Sequence, residues 1–384
     1  MASRVTKHIS NRLSSMDYVL LISIMSLVSL GTIMIYSASS LLAAEKYGSS
    51  AFFLSRHIFV LLLTLILMPA VYFIKIHWLK KTATLMLLVA IIGLILTVFT
   101  DLGVTMNYAK RWLNLGFMRI QVSEFLKPIL VIYLASYLSR KKDKLHSFSD
   151  GLLPLLIILG LIVVLMMKQP DFGSTAVIVA SCGLMMFVGG VRLSYLFTLL
   201  VLGLGGAAVL IASAQYRLDR FTTFLNPWND PSGKGFQILQ SLVAFQRGGV
   251  YGQGLGDGSQ KLLYLPEAHT DFIFSVVGEE LGLIGSLLLI FFFVCFVVQG
   301  LKLSIKLKDD FARYMAFGLT ALIGLEAVLN MSVVMALLPT KGLTLPFISY
   351  GRSSLLASLF CATLLLSLSS SVGLIQRNAK KVSV

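Results

Sequence analysis

Leu265-Pro-Glu-Ala-His-Thr-Asp-Phe-Ile-Phe-Ser-Val-Val-Gly-Glu-Glu-Leu-Gly282 sets four carboxylates and one histidine at the entrance of an apolar run that continues to about residue 299. The run is long enough to cross a bilayer, which takes about 20 apolar residues as an α-helix. A charge near the hydrocarbon boundary costs several kcal/mol unless it is paired or faces water, so Glu267, Asp271, Glu279 and Glu280 mark a candidate site at a membrane edge. Outward from this stretch the composition agrees: 57% of the 384 residues are hydrophobic and 13% are charged, too apolar a balance for a soluble domain of this length. The expected fold is all-α, a polytopic integral membrane protein forming a single domain over residues 1–384.

Apolar runs predict about ten spans, near 17–38, 57–75, 82–100, 123–139, 151–167, 173–190, 194–214, 272–299, 313–338 and 353–375, each about 17 to 25 residues or slightly longer. Ten spans return both termini to one side, and the bias of Lys and Arg says which side that is. Arg4, Lys7 and Arg12 precede the first span, Lys75, Lys80 and Lys81 follow the second, and Arg140, Lys141, Lys142 and Lys144 follow the fourth. Arg192, the group Lys302, Lys306, Lys308 and Arg313, and the tail residues Arg377, Lys380 and Lys381 fall on the same face. That face is expected to be cytoplasmic and to hold both termini. The net charge of +15 then reads as membrane orientation, with membrane lipids as partners and no nucleic acid. The basic start ahead of the first span reads as a retained signal anchor. Cys182, Cys295 and Cys361 all fall inside apolar runs, where a thiol behaves as a small hydrophobe, and their spacing matches neither a disulfide framework nor a zinc site.

The opposite face carries the longest connection, a loop over 215–271 between the seventh and eighth spans. Its glycines Gly248, Gly249, Gly252, Gly254, Gly256 and Gly258 permit tight turns and close backbone approach. Three further polar constellations are expected on this face. Asn107–Gly116 supplies Lys110, Arg111 and Trp112, which either grip an anionic head group or anchor the interface, and Gln121–Lys127 supplies Glu124 and Lys127, three apart and able to pair on one helix face. Ser123 is a candidate helix cap ahead of Glu124. Lys168–Thr175 breaks an apolar run at Pro170 and Gly173 and presents Asp171, either as a functional carboxylate or as part of a tight turn. Pro339–Ser354 is irregular at membrane depth, which is tolerated only where the backbone is buried in protein or lines an aqueous cavity. Lys341 and Ser349 would then face that cavity.

Residue by residue, these segments resemble the SEDS family of bacterial cell-wall glycosyltransferases, the FtsW/RodA/SpoVE group. The resemblance runs through Gly31–Ser39, Trp112, Glu124, Gln169-Pro-Asp171, Gly235-Phe-Gln, Gln240-Ser, Gly252–Gly256, Gln260–Asp271, Asn330 and Thr340–Gly351. It covers nearly the whole chain. The wording Pro-Glu-Ala-His-Thr-Asp with Gly-Glu-Glu-Leu-Gly is closer to the FtsW-like division branch than to the RodA-like elongation branch. The chain departs from the family pattern at Tyr108, Lys110, Val122, Gln246 and Arg352.

The resemblance implies polymerisation of lipid II into β-1,4 glycan, with release of undecaprenyl diphosphate, on the outer face of the bacterial cytoplasmic membrane at the division septum. It also implies a class B penicillin-binding protein as transpeptidase partner, alongside other divisome proteins. A lipid II flippase and a noncatalytic divisome scaffold are the alternatives of another class. The matching aspartate, Asp271, is the expected catalytic residue, either as general base or as ligand of Mg2+ or Mn2+ with Glu267, or with His269. Glu124, Lys127, Asp171, Glu267, His269 and Ser349 are expected around the substrate, and Arg111, Lys127, Arg217, Arg220 and Lys341 are candidates for the diphosphate. From the residues alone, Asp271 also reads as the N-cap of the eighth span.

Overall fold

The computed structural model describes residues 14–106, 109–114, 116, 118–213, 215–231, 233, 235–258, 268–340 and 342–382. The long helices are α1 (Tyr18–Tyr47), α2 (Phe52–Tyr72), α3 (Ile76–Phe99), α4 (Val122–Arg140), α5 (Leu153–Lys168), α6 (Phe172–Val188) and α7 (Leu193–Ala212). They continue with α8 (Gln215–Leu225), α9 (Phe236–Gly248), α10 (Ile273–Lys306), α11 (Asp310–Val334) and α12 (Arg352–Val382). Among the described residues, eight helices are long and apolar enough to cross a membrane, and the shorter apolar helices α6 and α7 lie where the sixth and seventh spans are expected. Local chemistry sets the ends. Asp17 caps α1 by accepting from the Leu20 amide at 3.1 Å, and Gly48 closes the helix with a left-handed φ of 69°, a conformation that costs glycine little.

The bundle has a clear centre. In α4 and α12, 83% and 78% of the most apolar stretch is buried in protein, against 17% in α2. The helix at the centre is also among the least apolar: mean hydropathy is 1.3 in α4 and 2.9 in α10. A helix wrapped by other helices can carry polar groups that pair across the bundle, whereas a lipid-facing helix cannot.

Helix α10 breaks at Gly282, whose φ of 67° and ψ of −162° are non-helical. The break strands the carbonyls of Glu279 and Glu280 and the amides of Leu283 and Ile284, which would pair with each other in an intact helix. The glycine-rich segment after α9 replaces what each has lost. Gln253 and Gly254 donate to the carbonyls of Glu279 and Glu280 at 3.0 and 3.1 Å, while Leu283 and Ile284 donate to Gly249 and Val250 at 2.9 and 3.3 Å. The connection expected as an outer loop therefore carries two helices, α8 and α9, and then reaches about 14 Å along α10 at 1.5 Å per residue. Backbone at that depth is viable because every group freed by the break is paired. Close approach is the reason for the glycines: a Cβ on Gly252 would strike the Glu280 carbonyl, and one on Gly282 would strike the Gly252 amide.

A three-stranded antiparallel sheet, β1 (Gly103–Met106), β2 (Ala109–Asn114) and β3 (Arg119–Gln121), joins α3 to α4. An all-helical expectation did not include it. Strands of three to six residues carry too few alternations to stand out as a period of two.

Candidate active site

Asp271 lies in the turn that leads into α10, and that turn is fastened from two sides. Asn330 of α11 donates from its side-chain amide to the Asp271 carbonyl at 2.9 Å and to the Leu343 carbonyl at 2.5 Å. From the Leu343–Tyr350 segment, the Ser349 hydroxyl donates to the Thr270 carbonyl at 2.6 Å and accepts from the Leu345 amide at 2.7 Å, and the Tyr350 amide donates to the His269 carbonyl at 2.9 Å. Three bonds to three consecutive carbonyls, those of His269, Thr270 and Asp271, fix the backbone around one carboxylate. The N-cap position of α10 is Phe272, with no side-chain cap, so Asp271 does not take the capping position the sequence allows. Its carboxylate is half-buried and turns toward Gly342.

Arg111 reaches the same place from β2. Its Nε and Nη2 donate to the carbonyls of Gln169 and Pro170 at 3.3 and 2.6 Å, which leaves Nη1 on the Gly342 side. A Cβ on Gly342 would lie 3.2 Å from Asp271 Oδ2 and 3.7 Å from Arg111 Nη1. A carboxylate and a guanidinium thus both approach Gly342, where an added side chain would press on the carboxylate. The Gln169 side chain is buried with neither amide atom hydrogen-bonded among the described residues, and unpaired buried polarity of this kind is found at catalytic sites.

Asp171 is buried and caps α6, accepting from the Ser174 amide at 3.3 Å and from the Ser123 hydroxyl at 3.2 Å. The tight-turn role of this carboxylate is thus present, and Ser123, expected as a helix cap, instead joins α4 to α6. The cap position of α4 belongs to Gln121. Below these residues, Glu124 and Lys127 pair as their spacing predicts, at 2.8 Å, and Glu326 of α11 is the third member, also bonded to Lys127. Glu326 was not among the residues expected at the site, although a carboxylate in the middle of an apolar run is itself a signal. Glu279 and Glu280 are both buried; Glu280 accepts from the Ser37 hydroxyl of α1 at 2.7 and 2.5 Å.

The His269 ring packs between Phe53, centroids 4.6 Å apart, and Tyr350, 5.7 Å apart. Burial pushes the Tyr350 hydroxyl above its ordinary pKa, while Arg352 and Arg56 pull it back. Arg352, the departure in the Ser-Tyr-Gly turn, therefore places its charge beside this aromatic group as the first residue of α12. Ser349, expected to face a cavity, is spent on the backbone bonds above. Arg217 and Arg220 lie on α8, but their side chains are outside the described residues, as are Glu267 and Lys341 altogether. Among the described residues, no three His, Cys, Asp or Glu side chains converge on one point. The described groups thus do not by themselves form a cation site, and Glu267, expected as a ligand beside Asp271, lies outside them.

The model of the FtsW/RodA/SpoVE group, described as cell cycle protein, matches residues 18–373. The chain belongs to this family. It is 41% identical over 363 residues to the probable peptidoglycan glycosyltransferase FtsW of Trichlorobacter lovleyi, covering 94% of this chain and 95% of that one. It is 39% identical over 359 residues to the stage V sporulation protein E of Bacillus subtilis, covering 93% and 97%. Among solved structures, a chain of a peptidoglycan synthase complex that coordinates polymerization and crosslinking aligns with a TM-score of 0.74 at 26% identity, over 93% of this chain and 98% of that one. The rod shape determining protein RodA of Thermus thermophilus aligns with a TM-score of 0.68 at 26% identity, over 92% and 96%.

Proposed function

We propose that this chain is a peptidoglycan glycosyltransferase of the FtsW type, polymerising lipid II during cell division with Asp271 as general base. The observation that carries the reading is the approach of the Asp271 carboxylate and the Arg111 guanidinium, from different segments, to the same glycine, Gly342. In this scheme the 4-hydroxyl of the acceptor sugar gives its proton to Asp271 as its oxygen attacks C1 of the donor. The new C1–O bond forms as the bond from C1 to the diphosphate breaks, and the leaving diphosphate carries off the electron pair. A fixed cation near that group stabilises charge that grows only in the transition state, which is where electrostatic catalysis acts. The two bonds that hold Arg111 to the carbonyls of Gln169 and Pro170 support that role. Inversion at C1 makes the α-linked donor a β-1,4 product in one displacement.

The enzyme sits in the cytoplasmic membrane with both termini on the basic, cytoplasmic face and works at the septum. Its partner is a crosslinking enzyme, a class B penicillin-binding protein, among other divisome proteins. The relative found in a complex that couples polymerization to crosslinking supports such a pairing. The test is to incubate the purified chain and its transpeptidase partner with labelled lipid II. Glycan ladders are expected, undiminished by chelator if Asp271 acts as base; loss of activity in chelator, restored by Mg2+ or Mn2+, would favour a cation held by Asp271 and Glu267. Movement of labelled lipid II across vesicles without polymer would overturn the assignment.

A further inference from the structure

At the opposite end of the bundle from Asp271, a cavity of about 660 Å³ opens between the start of α3, the α10–α11 junction and α12. Its apolar part includes Leu307, Phe311 and Val372, and its basic part is His77, Lys80, Lys306 and Lys308. The volume falls within the range of small-molecule sites, roughly 300–1,000 Å³. We propose that this cavity binds an anionic phospholipid, with the phosphate head group among the lysines and an acyl chain against the apolar wall.

Three independent features point to this ligand. The lysines of the cavity outnumber its acids: Asp309, which also lines it, is the cap of α11 and accepts from the Ala312 amide at 2.9 Å, while Asp310 is paired with Lys142 at 3.0 Å and Arg313 at 2.8 Å, so one lining carboxylate stands against Lys80, Lys306 and Lys308. Helix α3 starts at the cavity without a side-chain cap; its Trp78 amide is held by the Lys75 carbonyl at 2.8 Å, and the positive end of its dipole favours an anion there. The position is also that of a lipid head group, because Lys306 ends α10 and Ile76 begins α3, where hydrocarbon gives way to water. Lys80 lies with its ammonium 5.8 Å from the Phe311 ring centroid, joining the charged and apolar halves. Orientation alone requires basic residues on this face; it does not require them to ring one apolar cavity.

Native mass spectrometry of the full-length protein, released from nanodiscs of equal phosphatidylglycerol and phosphatidylcholine, tests the proposal. Wild type is expected to retain phosphatidylglycerol preferentially. Each of Lys80→Ala, Lys306→Ala and Lys308→Ala should weaken that retention roughly fivefold, the contribution of one lysine near an anionic surface. Lys141→Ala, on the same face but outside the cavity, should leave it unchanged. Equal retention of the two lipids, or an equal loss in Lys141→Ala, would overturn the proposal. So would displacement of the lipid by millimolar glycerol 1-phosphate, which would make this a site for free phosphate. A co-purifying acidic peptide lost in the same lysine variants would likewise replace the lipid as occupant. All four lysine variants should unfold at the wild-type temperature in pure phosphatidylcholine, which separates lost binding from lost structure.

Discussion

Replacing Lys127 by methionine removes one cation from between two carboxylates and keeps most of the side-chain volume. The Glu124, Lys127 and Glu326 side chains are 8%, 3% and 7% exposed, so neither carboxylate can recover its hydration when the ammonium is lost. Removing one partner of a buried ion pair typically costs about 3–5 kcal/mol, most of it from the uncompensated charge left behind. Here two acids are left facing each other across α4 and α11, which puts Lys127→Met toward the top of that range unless one acid takes up a proton. The triple variant Glu124→Gln/Lys127→Met/Glu326→Gln removes all three charges and should regain most of the loss. Thermal unfolding of the purified protein in nanodiscs reads both values, and lipid II polymerisation read in parallel shows what the triad is for. If it braces the two helices that hold the site, the triple variant recovers activity along with stability. A Lys127→Met variant as stable as wild type would refute the energetic argument, and a stable but inactive triple variant would refute the bracing role.

Gly342→Ala should leave stability nearly unchanged, because this glycine is not among those with positive φ. Its new methyl would stand 3.2 Å from Asp271 Oδ2, and kcat for polymerisation should fall about tenfold or more, as small displacements at a reacting centre do; an unchanged kcat would mean that reaction does not occur beside Gly342. Gly282→Ala should destabilise by at least about 2 kcal/mol, since its φ of 67° with ψ of −162° lies in a region that is essentially glycine-only, and denaturation in detergent measures it. Asn330→Leu should cost about 1–3 kcal/mol by leaving two carbonyls unpaired. It should also lower kcat, because the Asp271 turn loses its tie to α11; wild-type kcat would contradict that positioning.

Much of the bundle was legible in the sequence because hydrophobic length is a local property. Asp271 stood out as a costly charge at the end of an apolar run, and the Glu124–Lys127 pair followed from a spacing of three. Glu326 could not be assigned to that pair, since it lies 199 residues from Lys127 and only folding brings α4 and α11 together. Gly342 was invisible for another reason: its contribution is a missing side chain between two charges from distant segments. Ser349 and Asp171 were polar at the right depth, but polarity alone does not show that each also fastens a turn. The glycines at 248–258 announced close approach without naming the partner, because the break at Gly282 is where their hydrogen bonds go.

The most direct measurement is the rate of glycan synthesis from labelled lipid II by the chain with its transpeptidase partner, comparing wild type with Asp271→Asn and Asp271→Ala. Asparagine keeps the shape of the carboxylate and removes its basicity, so both variants should lose polymerisation by on the order of a hundredfold or more while folding and binding their partner as wild type does. Polymerisation at the wild-type rate by either variant would contradict the catalytic role of Asp271.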